Sequence, residues 1–204
     1  MSFETILAFS LFAFVTSVTP GPNNLMLLSS GVNFGFRKTV PHIVGISSGF
    51  LVLVLAVGFG LGEVFSRFPQ AYEILKWMGA IYLLYLAWNI AHSSPPGDQS
   101  SDGESIAAKP MSFIGAAAFQ WVNPKAWVMA IGAISTYAPT TSSVSVIIGI
   151  AVLFVVVNAP SVSLWALFGA RMRRYLQVRR YLLLFNYSMA SLLVLSMVPL
   201  FKTV

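Results

Sequence analysis

Apolar residues in this chain fall in long blocks, not in the strict alternation of a half-buried strand. A bilayer core of about 30 Å takes about 20 residues of helix. Six blocks reach that length, at residues 4–30, 40–65, 72–92, 111–135, 144–168 and 181–201. The pattern predicts an all-α integral membrane protein of six transmembrane helices in one domain. A single long polar stretch, "SSPPGDQSSDGESIAAK", separates the third block from the fourth. Its Ser, Pro, Gly and acidic residues mark a linker, 93–110, between a first half, 1–92, and a second half, 111–204. With three spans in each half, the second half enters the membrane from the opposite side. If the halves are related they form an inverted repeat, a recurrent plan of secondary transporters.

Two blocks are interrupted at corresponding places. The first contains "VTPGPNNL" (18–25) and the fourth "WVNPKAW" (121–127). Proline lacks an N–H and its ring clashes with the carbonyl four residues earlier. Pro20 therefore frees the carbonyl of Thr16, Pro22 that of Val18, and Pro124 that of Gln120. Gly21 lets the chain turn where a side chain would not fit. In hydrocarbon an unsatisfied carbonyl costs several kcal/mol, so each needs a donor: a ligand ammonium, water or a neighbouring side chain. Pro22 suits the first turn of a new helix. Asn23, Asn24 and nearby N–H groups then sit at a helix N-terminus, which attracts carboxylates. Donors for a carboxylate beside acceptors for an ammonium describe a site for a zwitterionic amino acid. The competing structural reading is a kinked packing helix.

Lys125 adds a charge to the second break, beside Asn123 and Pro124. A lysine at the midplane costs roughly 2.5–3.5 kcal/mol on insertion scales. The acidic residues outside the linker, Glu4, Glu63 and Glu73, fall near block ends and offer it no partner inside a span. It is expected to bind a carboxylate or to reach the freed carbonyls of the first helix, unless it snorkels to an interface. Other features carry less. Gly45 and Gly49, like Gly58 and Gly62, place small residues on one helix face for close packing. Asn158 and Pro160 are expected to interrupt the fifth span beside the same cavity. His42 and His92 stand at span ends, where a histidine either relays protons or is merely interfacial.

Composition narrows the class. Charged residues are 9% of the chain, against about 25% in soluble domains, and 57% is hydrophobic. Such a chain has too little polar surface to cover a globule in water. Twelve scattered basic residues make no nucleic-acid stripe. No cysteine is present, so disulfides and thiolate chemistry are excluded. The opening "MSFET" lacks the basic start of a signal peptide and is expected to lead into a retained span. Eight Lys and Arg fall in one set of loops, around Arg37, Lys109 and "RMRRYLQVRR" (171–180), and three (Arg67, Lys76, Lys202) in the other. The first set is expected in the cytoplasm and both termini on the outer side.

These motifs resemble a known family. "TPGPNN" (19–24), "GFRK" (35–38) and "GISSGF" (45–50) are similar to the first-half signature of the LysE/RhtB amino-acid exporters. "LKWMGAIYLLYLAW" (75–88), "KPMSFIGAAAFQWVNPKAW" (109–127) and "WALFGA" (165–170) continue the likeness over nearly the whole chain, nearest to the cysteine/O-acetylserine branch. The resemblance implies six spans and export of amino acids or close derivatives across the bacterial inner membrane, driven by protons. By motif, Pro20, Gly21, Pro22 and Asn23 carry over as the first break, and Asn123, Pro124 and Lys125 as the second. No cofactor or metal is expected, and a homo-oligomer is left open. The proton carrier is open between Lys125, His42 and the substrate.

Two other classes compete with a transporter. An intramembrane enzyme needs a nucleophile–base pair or a metal cluster, and the sequence has neither HExxH nor GxSxG. A non-transporting structural or assembly protein would use the breaks for packing alone.

Overall fold

The structure is a computed structural model, and it describes residues 1–93, 110–138, 143–198 and 201. The linker lies almost wholly outside the described residues. Among those residues the chain forms nine α-helices and no strand. They are α1 (Phe3–Val18), α2 (Pro22–Phe34), α3 (Phe36–Ala56), α4 (Gly62–Arg67), α5 (Pro69–Ala91), α6 (Phe113–Val122), α7 (Pro124–Tyr137), α8 (Val144–Met172) and α9 (Arg179–Leu195). Polar caps mark the starts: Ser2 Oγ accepts from Thr5 N, and Ser112 Oγ from Gly115 N.

Three helices are long and apolar enough to cross a bilayer: Phe36–Leu61, Glu73–Ala91 and Val144–Met172. The α1–α2 pair, bent by 56° at its break, adds a fourth span if it counts as one. The expected span 111–135 is cut at Asn123, at its predicted break, into α6 and α7, of 10 and 14 residues, and α9 has 17. α3 runs on through a π-helical turn, Val57–Leu61, where Gly60 takes φ +103°, a conformation that favours glycine.

Glycine sets how closely the helices approach. A Cβ on Gly45 or Gly49 would lie 2.4 and 2.5 Å from the carbonyls of Phe113 and Ala117, so α3 rests directly on α6. Gly31 and Gly169 do the same reciprocally: their Cβ atoms would meet Ala166 O at 2.3 Å and Leu28 O at 2.2 Å, locking α2 against α8. The apolar core beside them is built on Phe9, Phe50, Trp127 and Phe154. A Cβ on Gly35 would lie 3.2 Å from Arg173 Nη1. The turn before Arg37 and the loop after α8 therefore share one end of the molecule, as the basic loops were expected to.

One expectation is corrected here. Pro160 does not interrupt α8, which is continuous from Val144 to Met172. Ser161 and Ser163 donate their hydroxyls to the carbonyls of Val157 and Ala159 beside it. A membrane helix can carry an interior proline, and these hydroxyls bond its neighbours rather than the Val156 carbonyl that the proline frees.

Candidate functional site

Both predicted breaks are present, and they face each other. α1 ends at Val18, and Thr19, Pro20 and Gly21 are non-helical before Pro22 opens α2. α6 ends at Val122, and Asn123 alone separates it from Pro124 and α7. Gly21 is extended, with φ −176°, so its backbone does not demand glycine. The demand is steric: a Cβ there would stand 2.7 Å from Lys125 Cδ.

Lys125 joins the breaks. Its Nζ donates to Thr19 O at 2.7 Å, to Thr19 Oγ1 at 3.0 Å and to Pro20 O at 3.4 Å. All three donors of the ammonium are thus directed at break 1, with no carboxylate involved. The freed carbonyls predicted from the prolines have other donors. Thr19 Oγ1 donates to Thr16 O at 3.0 Å, and Trp165 Nε1 to Val18 O at 3.2 Å. Asn24 Nδ2 takes Ser17 O and Thr19 O, both at 2.8 Å. Every carbonyl from Thr16 to Pro20 therefore holds a side-chain donor.

The two asparagines predicted to greet a carboxylate have different neighbours. Asn24 is buried, and its amide hydrogens point back into the break. Asn23 exchanges a pair of hydrogen bonds with Gln120 of α6: Asn23 Nδ2 to Gln120 Oε1 at 2.8 Å and Gln120 Nε2 to Asn23 Oδ1 at 3.3 Å. At break 2, Asn123 Oδ1 caps its own helix by accepting from Lys125 N at 3.1 Å. Trp127 Nε1 donates to Trp121 O at 2.9 Å.

These groups surround a small cavity. Gly21, Asn23, Asn24, Asn123 and Lys125 line it, together with Thr16, Ser17, Gln120 and Asn158. Ile46, Phe50, Ala126, Met129 and Val162 supply its apolar wall. Pro20, Pro22 and Pro124 shape the breaks without lining the space. The cavity offers about 20 Å³ to the centre of a water molecule, room for one or two waters. A free amino acid outsizes that space.

Sequence reading missed Gln120, Ser17 and Trp165 as parts of this site. A lone glutamine in an apolar span was a signal for the first; for Trp165, which reads as an interface or packing residue, there was none. His42 also differs from expectation. It is buried inside the protein, 1% exposed, and neither ring nitrogen has a hydrogen-bond partner. It stands one turn along α3 from Ile46, which lines the cavity. His92 is exposed, as expected of an interfacial histidine, and stacks on Trp88.

The family described as "LysE type translocator" matches residues 14–200. The "Cysteine/O-acetylserine efflux protein" of Escherichia coli (strain K12) is 35% identical over 198 residues, covering 95% of this chain and 96% of that protein. The protein of the same name from Shigella sonnei (strain Ss046) matches to the same extent. No solved structure matches the chain.

Proposed function

The chain belongs to the LysE type translocator family, and from that premise we propose that it is a secondary exporter of amino acids or close derivatives, cysteine and O-acetylserine foremost. The family makes it a membrane transporter and not an enzyme. Six spans in two inverted halves, the bacterial inner membrane and outward termini complete the reading. Its main structural support is the ammonium of Lys125, from break 2, seated on the carbonyls of break 1.

That contact supplies a mechanism. Lys125 holds a closed form by tying one half to the other. A substrate carboxylate entering the cavity is a better partner for an ammonium than a neutral carbonyl, since both charges then contribute. Lys125 turns to it, break 1 is released, and the substrate ammonium settles among the neutral acceptors of the cavity wall. Asn23 and Gln120 separate as the breaks move apart. Rocking of the halves then exposes the substrate on the other side. Protons drive the cycle. His42 is the better placed carrier, because its ring nitrogens have no partners to lose. α2 and α6, which pack against α3, contain no ionisable side chain; α8 contributes only Arg171 near its end and α7 only Lys125 and Tyr137.

The test is efflux from proteoliposomes loaded with labelled amino acids, O-acetylserine included, with and without an imposed pH gradient. Saturable efflux of one class, accelerated by the gradient, is expected. No efflux of any panel member from inserted, folded protein would favour the assembly reading. Efflux indifferent to the gradient would remove the protons.

A further inference from the structure

The carbonyls of break 1 are rich in acceptors but none is vacant. Thr16, Ser17, Val18, Thr19 and Pro20 each hold a side-chain donor. One acceptor in the cavity wall is different. Asn158 of α8 is 5% exposed and lines the cavity, and its Oδ1 has no partner. Buried polar atoms are almost always paired, so an orphan on a residue of the cavity wall calls for a reason, and Oδ1, with under 1 Å² accessible here, becomes reachable only as the breaks part. The amide is not loose. Asn158 Nδ2 donates to Ser17 Oγ at 2.9 Å, which fixes the side chain to the end of α1. α8 carries no charged side chain before Arg171, so the acceptor is a neutral one in an apolar helix.

We propose that Asn158 Oδ1, oriented by Ser17, is the contact that recognises the substrate's α-ammonium. This rests on the exporter reading and adds what it lacks, the residue that selects for a free amino group. An ammonium brings three donors and satisfies the orphan without displacing the Thr19, Asn24 or Trp165 donors of break 1. An acylated amine brings one weaker donor and a bulky carbonyl. Asn158 thus restricts cargo to compounds with an unmodified amine, while Lys125 takes the carboxylate.

O-acetylserine and N-acetylserine test this, because they share composition and differ in whether the amine is free. Full-length protein in liposomes would be assayed for efflux of labelled O-acetylserine, with N-acetylserine as competitor. Wild type should prefer the free amine by at least tenfold. Asn158→Leu should raise KM for O-acetylserine at least tenfold and lose most of that preference. Asn158→Asp, whose carboxylate can accept both the ammonium and the Ser17 hydroxyl, should keep the preference with KM no higher than wild type. Ser17→Ala, which frees the amide to turn, should raise KM by a smaller factor. Should Asn158→Leu fail to fold, the Asp and Ser17 variants carry the test. Unchanged KM and preference in Asn158→Leu, or a tenfold loss of affinity in Asn158→Asp, would overturn the inference and leave Oδ1 as a water site. Absence of wild-type efflux would overturn the exporter reading, and this inference with it.

Discussion

The two broken helices have the same local grammar and opposite supports. Each has an asparagine near a proline that opens the following helix. At α1–α2 the gap spans three residues, and the donors that satisfy it include Asn24 from α2, Lys125 from α7 and Trp165 from α8. At α6–α7 the gap is one residue, and the donors are its own neighbours, Lys125 N on Asn123 Oδ1 and Trp127 Nε1 on Trp121 O. A break capped by its own neighbours keeps its shape wherever the rest of the protein goes. A break capped from three helices keeps it only while those helices stay in place. In the proposed mechanism the first is the moving receiver and the second the rigid part that carries the lysine.

Substitutions can break this comparison, and the largest effect belongs to Lys125. Lys125→Met removes all three donors from break 1; each charge-assisted bond is worth about 1.5–3 kcal/mol. Efflux should fall at least tenfold while the protein still inserts. Next is Asn24→Ala, which leaves Ser17 O without a donor in a buried place and should cost about 1–3 kcal/mol in thermal unfolding in detergent. Gly21→Ala should come third. Its methyl meets the Lys125 stem and not a strained backbone. Its penalty should therefore shrink in a Lys125→Ala background, with a coupling of about 0.5–3 kcal/mol in a double-mutant cycle. Smallest is Asn123→Ala, the loss of an N-cap, at about 1 kcal/mol of stability. If Asn123→Ala impaired efflux as much as Lys125→Met, the two breaks would not differ as described.

The breaks were legible because proline acts on its own neighbourhood. Pro20, Pro22 and Pro124 each end or open a helix by a local rule, and the structure obeys it. Lys125 was legible because a charge in an apolar block stands out. What it touches was not. The freed carbonyls of Thr16 and Val18 looked like its targets, yet Thr19 and Trp165 reach them first and Lys125 takes Thr19 and Pro20. Trp165 and Val18 are 147 residues apart, and Asn158 and Ser17 are 141 apart. No period in the sequence encodes contacts at that range. Pro160 misled because the rule that proline breaks helices is not absolute inside a long membrane helix, and α8 runs unbroken through it. His42 looked interfacial by its place in the chain, but the close approach of α3 to α6 through Gly45 and Gly49 carries that part of α3 inside.

The central claim is that substrate draws Lys125 off break 1 and lets the breaks part. The chain has no cysteine, so spin labels at Val15→Cys on α1 and Val128→Cys on α7, both exposed positions, report the separation without background. Pulsed electron–electron distance measurements in liposomes should give one distance without ligand. O-acetylserine should add a second, longer distance, and Lys125→Met should show that longer distance with no substrate present. One unchanged distance in all three samples would contradict the account.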